Sequence, residues 1–172
     1  MINRMIGALR LDVHTFEDVE NDESALGQAV LVVVIVAIAS AIGGLLSADN
    51  LIQGLIFGII YSLVSWALWA LITYVIGTTI LKTPETHATW SQLARTTAFA
   101  QSPGLFRIFA FIPLIGGVIV FIAFVWQLTA MVIAVRQALD YQSTWRAVGV
   151  VLIGFIVVII PVALISQALG II

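Results

Sequence analysis

A polar stretch interrupts an apolar part of the chain between residues 98 and 111, which read AFAQSPGLFRIFAF. It contains Gln101, Ser102, Pro103, Gly104 and Arg107. Proline and glycine interrupt a helix and free backbone groups, and arginine supplies a fixed positive charge. This combination predicts a site for an anion, a lipid headgroup or a carboxylate. The alternative is a kinked structural helix whose arginine reaches the outer headgroups.

A second group of polar residues lies near the N-terminus, where six of the nine acidic residues fall between Asp12 and Glu23. Apolar residues recur among them at spacings of three and four, which predicts one or two amphipathic helices on the cytoplasmic surface. Thr15 is the expected N-cap of the second helix. The predicted docking surface for a basic partner comprises Phe16, Glu17, Asp18 and Glu20. The alternative is a solvated helix packed on the bundle by Val13, Phe16 and Val19.

The stretch RQALDYQSTWR forms a third group, with Arg136, Asp140 and Arg146. Arg136 and Asp140 are one helical turn apart, so the spacing predicts an ion pair. We expect this short loop to be a cytoplasmic corner that adds to the docking surface.

Other chemistry is not indicated by the residue types. The chain has no cysteine, and His14 and Asp18 alone do not supply the three or four ligands of a metal site. No hydrolase, zinc-protease or phosphate-loop motif occurs, and no basic arm suggests nucleic acid. We therefore expect no catalytic residue, metal or cofactor.

Composition indicates the solvent in which these groups lie. Hydrophobic residues make up 62% of the 172 residues and charged residues only 9%. This apolar content is typical of an integral membrane protein, in which backbone groups must pair within helices or a closed barrel. Long unbroken apolar runs favour helices, so the predicted class is all-α.

Five segments are long enough to cross a hydrocarbon layer of about 30 Å. The predicted spans are 24–48, 50–81, 90–111, 113–135 and 147–172. The third is expected to break at Ser102-Pro103-Gly104. Thr89 and Gln92 fit a capping box at its start, and the first half-helix is expected to run to about Ser102.

The distribution of basic residues predicts the orientation. With five spans, one side of the membrane receives Arg4, Arg10, Lys82, Arg95, Arg136 and Arg146. The N-terminus is therefore expected in the cytoplasm and the C-terminus outside. Arg107 is the basic residue left near the far side.

Three stretches in this order resemble the Yip1 domain family: LDVHTFEDVENDESALGQA before the first span, FAQSPGLF in the third and RQALDYQSTWRAVGVVLIG entering the fifth. The resemblance runs from about Leu11 to the fifth span. It implies a five-helix membrane protein with a cytoplasmic N-terminus. Eukaryotic members are linked to Rab GTPase binding and to vesicle traffic between the endoplasmic reticulum and the Golgi.

Only residues 1–23 precede the first span, so the chain looks like a compact prokaryotic member, expected in the inner cell membrane. The Rab role does not transfer to a bacterium. Structural or docking roles are expected for the residues that match the family's motifs, which are Phe16, Glu17, Gln101, Pro103, Gly104, Arg136 and Arg146.

The expected function is that of a non-enzymatic membrane scaffold or adaptor in membrane organisation or trafficking-like processes. Residues 1–23 form its cytoplasmic segment and residues 24–172 a single transmembrane domain. Expected partners are membrane lipids, a cytoplasmic protein and a second copy of the chain. The alternative is an oligomeric transporter or channel for an ion or small solute that uses the broken third helix.

Overall fold

The computed structural model describes the backbone of residues 1–44 and 51–168, and the side chains of residues 1–44 and 52–158. Within these ranges the chain is helical and contains no strand. The predicted all-α class is thus confirmed. The helices are α1 (Ile2–Leu9), α2 (Val13–Asn21), α3 (Ala25–Gly43), α4 (Leu51–Val75), a π-helical segment (Ile76–Ile80), α5 (Trp90–Phe99), a 3₁₀ segment (Ser102–Phe111), α6 (Gly116–Ala138) and α7 (Thr144–Ala168).

Three of the described helices are long and apolar enough to cross a membrane: Ala25–Gly43, Ile52–Ile80 and Gly116–Ala138. The described side chains of α7 form a further apolar stretch over Thr144–Val158. The outer ends predicted for the first and fifth spans lie partly outside the described residues, as does Asp49. The chain is therefore a membrane-type protein.

Helix α5 lies at the centre of the bundle, packed against α3, α4 and α6. All residues from Leu93 to Ala100 are buried, and most are small or β-branched, which lets neighbouring helices approach closely. The Trp66 indole donates to the carbonyl of Ala94 at 3.0 Å. The predicted capping box is confirmed: Thr89 N donates to Gln92 Oε1 at 2.7 Å, and Gln92 N donates to Thr89 Oγ1 at 3.3 Å. The helix ends at Phe99, three residues before the predicted end.

Helices α1 and α2 form an antiparallel hairpin, hereafter the N-terminal hairpin, which packs on α5 and α6 and on the 3₁₀ segment. Arg4 lies beside Gln28, near the start of α3, whereas Leu9 lines a groove with Ile38 and Ile42, near its end. The two amphipathic helices exist as predicted, but the hairpin lies along the sides of the bundle helices. That these helices lie on the cytoplasmic surface stays a prediction.

The N-cap of α2 is Asp12, and the predicted Thr15 cap is wrong. The Asp12 carboxylate accepts from the His14 amide at 3.2 Å and from the Thr15 hydroxyl at 2.8 Å. A carboxylate satisfies the free amides of a helix start and is favoured by the helix dipole, so α2 begins two residues before Thr15.

Candidate functional site

Arg95 fastens the N-terminal hairpin to the central helix. Its side chain is buried; Nε donates to the carbonyl of Val19 at 3.1 Å and Nη2 donates to the carbonyl of Glu20. Nη1 donates to the Ser91 hydroxyl at 2.7 Å. These carbonyls lie in the last turn of α2, where the helix dipole favours a cation. One guanidinium group therefore caps α2 from a different helix.

The Glu20 carboxyl group lies beside this contact and is only 7% exposed. It accepts a hydrogen bond from Gln92 Nε2 at 3.1 Å. Burial, together with the nearby charges of Asp140 and Glu17, raises the pKa of Glu20 to about 7, while Arg95 and Gln92 act in the opposite direction. Glu20 is therefore part of the hairpin's attachment, and its predicted role as an exposed docking residue is corrected.

Phe16 is also misplaced in the predicted docking surface, because its side chain is fully buried. Phe16 and Val19 form the apolar face by which α2 joins the core, as in the alternative interpretation. Val13 departs from that interpretation, being 40% exposed.

The side of the hairpin that faces away from the bundle carries exposed acidic residues. Asp12, Glu17 and Asp18 are exposed, and we call these three residues the acidic surface. Glu17 lies 3.6 Å from His14, while Asp22 pairs with Arg4 at 2.7 Å and belongs to the base of the hairpin.

The corner between α6 and α7 is held by hydrogen bonds from the Arg136 side chain to backbone carbonyls of the loop. Arg136 donates to the carbonyls of Tyr141 and Gln142 at 3.1 and 3.3 Å, so the predicted Arg136–Asp140 ion pair is wrong. Helix α6 ends at Ala138 and Asp140 has a φ of 53°, so the two residues no longer share a helical face.

This corner is joined to the end of the π-helical segment. The Tyr141 hydroxyl lies 2.9 Å from the carbonyls of both Gly77 and Leu81. The exposed Arg146 donates to the Leu81 carbonyl at 3.4 Å. Of the predicted docking residues at this corner, Asp140 is exposed, and Arg136 and Arg146 donate to backbone carbonyls.

The polar stretch after α5 satisfies much of its own hydrogen bonding. The Ser102 hydroxyl donates to the carbonyl of Phe99 at 2.7 Å, and the Gly104 amide donates to the carbonyl of Gln101 at 2.7 Å. Pro103 occupies the start of the 3₁₀ segment, where its missing amide hydrogen leaves no bond unmade. Ser102, Pro103 and Gly104 are buried, and Gln101 is half-buried.

The Arg107 guanidinium group lies beside Gly104 and meets α6. Its Nη2 donates to Gln127 Oε1 at 2.6 Å, and the guanidinium group is partly buried. The structure therefore pairs Arg107 with Gln127 and gives it no hydrogen bond to Gln101 or Ser102 within the described residues. Sequence reasoning missed Gln127; its signal was an amide side chain in the middle of the apolar sequence of α6.

An apolar groove of about 430 Å³ lies on the two faces of the same 3₁₀ segment that do not carry Arg107. It lies between the segment, α3 and the end of α1, and it is lined by Leu9, Ile35, Ile38, Ala39, Ile42, Leu105, Phe106, Ile108 and Phe109. Trp126 closes the adjoining contact: its indole stacks on Phe106 with ring centroids 5.5 Å apart and donates to the Leu9 carbonyl at 2.9 Å. The consecutive residues Trp126 and Gln127 of α6 thus both contact the 3₁₀ segment.

Among the described residues, no group of three or more histidine or acidic side chains is placed to hold a metal ion. His14 and His87 lie in separate elements, and both are exposed.

Comparison with protein-family models finds the Yip1 domain over residues 6–165, which is nearly the whole chain. The chain belongs to the Yip1 domain family. The predicted resemblance is confirmed, and the match extends from α1 into α7, so the N-terminal hairpin is part of the Yip1 domain. The chain matches no curated protein and no solved structure.

Proposed function

We propose that this Yip1-domain protein is a non-enzymatic membrane scaffold or adaptor. In this proposal the chain crosses the inner cell membrane of a prokaryote five times, and a cytoplasmic partner docks on the acidic surface of the N-terminal hairpin. The observation that carries the proposal is the attachment of α2 by Arg95, because it holds Asp12, Glu17 and Asp18 outward on a fixed helix.

Contacts between basic residues and helix ends support the five-span topology. Arg95 meets α2, Arg146 meets Leu81 and Arg4 meets Asp22, so these cations cluster at one end of the bundle. Cations accumulate on the cytoplasmic side of membrane proteins, which supports the proposal that this end faces the cytoplasm.

The third crossing consists of α5 and the 3₁₀ segment in succession. At rises of about 1.5 and 2.0 Å per residue, these two helices together reach ~35 Å, enough to cross the hydrocarbon layer. The 3₁₀ segment ends beside the end of α3: Gly43 lies against Arg107 and Ala110. A parallel course of α3 and this composite helix is the geometry that five crossings require.

The acidic surface favours a basic partner, because like charges are repelled and charge complementarity accelerates association. It also keeps the hairpin away from anionic lipid. The family's Rab-linked role belongs to eukaryotic members, so the proposed partner is defined by its charge alone.

The docking proposal is tested with Glu17→Lys/Asp18→Lys, leaving the buried Glu20 unchanged. A photo-crosslinking residue replaces the exposed His14, and crosslinks are compared in intact cells. We expect the double variant to reduce adduct formation about tenfold, as loss of ~1.4 kcal/mol of binding would. Glu85→Lys, at an exposed acid outside the hairpin, is the matched control and leaves the adducts unchanged. Equal adducts in all variants would contradict the proposal.

The transport alternative receives less support from this geometry. The Ser102 hydroxyl donates a hydrogen bond to the Phe99 carbonyl, and Pro103 and Gly104 are buried. Ion flux in proteoliposomes, abolished by Arg107→Leu in a folded protein, would replace the scaffold proposal with transport.

A further inference from the structure

We propose that helix α2 displaces lipid of the cytoplasmic leaflet beside it, so that the bilayer is thinner at this side of the bundle than at the side of α4. The partner of this surface is the bilayer itself, which meets the protein at two different heights. The proposal rests on the five-span arrangement proposed above, and it does not depend on the cytoplasmic partner.

The first argument is that α2 and the middle of α4 lie at about the same height. The Trp66 indole donates to the carbonyl of Ala94, and the neighbouring Arg95 donates to the carbonyl of Val19. These two contacts place the last turns of α2 about level with Trp66. Trp66 is the midpoint of the apolar span Ile52–Ile80, so α2 lies beside the depth at which α4 is halfway across the membrane.

The two surfaces at this height suit different solvents. The acidic surface of Asp12, Glu17 and Asp18 is exposed at the side of α2. At the side of α4, the apolar side chains of Val64 and Leu68 are 53% and 52% exposed. Hydrocarbon strongly disfavours a charged side chain, and water disfavours an apolar one. A membrane surface at a single height would therefore leave one of the two sides in the wrong solvent.

Helix α6, on which α2 packs, shows where the lipid ends at this side. Its exposed large apolar side chains all lie in the outer half, between Val118 and Val125. At the next residue, the Trp126 indole donates to the carbonyl of Leu9, at the turn between α1 and α2. From there to its cytoplasmic end, α6 has one exposed residue, the polar Thr129. The hydrocarbon at the side of α2 therefore ends near Trp126.

Helix lengths give the size of this step. The part of α6 from Gly116 to Trp126 rises about 15 Å, which is half of the roughly 30 Å of a bilayer's hydrocarbon. On α4, exposed apolar side chains recur from Ile52 to Ile80, a rise of about 42 Å. Lipid at the side of α2 thus has the depth of about one leaflet, whereas lipid at the side of α4 has its full thickness.

The step is confined to the side of α2. Helix α1 exposes the apolar side chains of Ile2 and Ile6, so it faces lipid at the flank of the N-terminal hairpin. Thinning a bilayer costs free energy, and this cost is smaller where the membrane is already thin. The protein therefore favours thin regions of membrane, which is a physical route to the proposed role in membrane organisation.

Spin labels on single cysteine residues test the step, because the chain contains no cysteine of its own. His14→Cys labels the exposed side of α2 and Val64→Cys labels that of α4, each in vesicles of dioleoyl phosphatidylcholine without other proteins. Collisions with a water-soluble nickel chelate, present on both sides of the membrane, and with oxygen identify the solvent of each label. We expect the nickel chelate to collide about tenfold more often with the label at residue 14, since hydrocarbon excludes polar solutes. Oxygen should favour the label at residue 64.

A second pair, Asp18→Cys and Leu68→Cys, repeats the comparison at nearly equal heights if a variant of the first pair does not fold. Labels that meet oxygen on both helices would place α2 in hydrocarbon and overturn the step. Labels that meet nickel on both helices would mean a bilayer that is shallow all round the bundle, which also overturns it. Labels on α4 that meet neither reagent would mean that a second copy of the chain covers α4, and the height difference would then need no step in the bilayer. Crosslinking from the hairpin in cells is independent of these results, so the adaptor proposal is judged separately.

Discussion

Arg95 Nε donates to the carbonyl oxygen of Val19 over 3.1 Å, which joins the central helix to a helix 76 residues earlier in the chain. The same guanidinium group contacts the carbonyl of Glu20, so α2 ends on a side chain from α5. This relationship makes the position of the N-terminal hairpin depend on one buried cation.

Replacing this cation should release the hairpin. Arg95→Leu leaves two carbonyls of α2 without their charged donor, and we expect the closed hairpin to lose about 3 kcal/mol relative to an opened one. Trypsin cleavage after the exposed Arg10 would then rise roughly a hundredfold if opening is faster than cleavage. The control is Arg146→Leu, which removes an exposed guanidinium and should leave cleavage at Arg10 unchanged. Equal cleavage in both variants would show that Arg95 does not hold the hairpin.

The pKa of Glu20 predicts that the hairpin is held more tightly in acid. Its pKa is about 7 in the closed hairpin, against an ordinary value of 4.5, so the closed state binds more protons between these two values. Stability therefore falls as the pH rises from about 4.5 to about 7, by up to about 3 kcal/mol, and is constant above that range. Chemical labelling of the hairpin at pH 5 and at pH 8 measures the change. Trypsin cleavage after Arg10 at pH 8 gives an independent measure of opening at the higher pH.

Glu20→Gln removes this pH dependence while keeping an acceptor for Gln92. Glu23→Gln, at an exposed acid of the same segment, is the control and should retain it. If labelling changes with pH equally in both variants, another group controls the opening of the hairpin.

The capping box at the start of α5 should contribute measurably to stability. Thr89→Ala removes the hydroxyl that accepts from the Gln92 amide, and we expect a loss of about 1 kcal/mol in unfolding of the detergent-solubilised protein. Thr129→Ala is the matched control, because that exposed hydroxyl donates only to the Val125 carbonyl of its own helix. A larger loss in the control would contradict the role of the cap.

Local features of this chain were predictable because neighbouring residues determine them. The capping box of Thr89 and Gln92 depends on two residues three apart, and the apolar helices depend on runs of one residue class. The N-cap of α2 was misplaced by sequence reasoning because Asp12 and Thr15 are both good caps, and the choice between them depends on where the helix begins.

Contacts between distant segments were not predictable in the same way. Glu20 lies in an acidic run, and its burial depends on Gln92 and Arg95 approaching from another helix. Gln127 is twenty residues from its partner Arg107, so no spacing rule connects them. The Arg136–Asp140 pair failed for the opposite reason: the spacing rule holds only while a helix continues, and α6 ends between them.

A close backbone contact should make Gly43 irreplaceable in α3. A Cβ atom at this position would lie 2.0 Å from the carbonyl oxygen of Arg107 and 3.1 Å from Cβ of Ala110. Because the nearest obstacle is backbone, Gly43→Ala must push the 3₁₀ segment away from α3, and we expect a loss of about 2 kcal/mol in detergent unfolding. Gly27→Ala in the same helix is the control, since its Cβ meets no atom within 4 Å and alanine favours a helix.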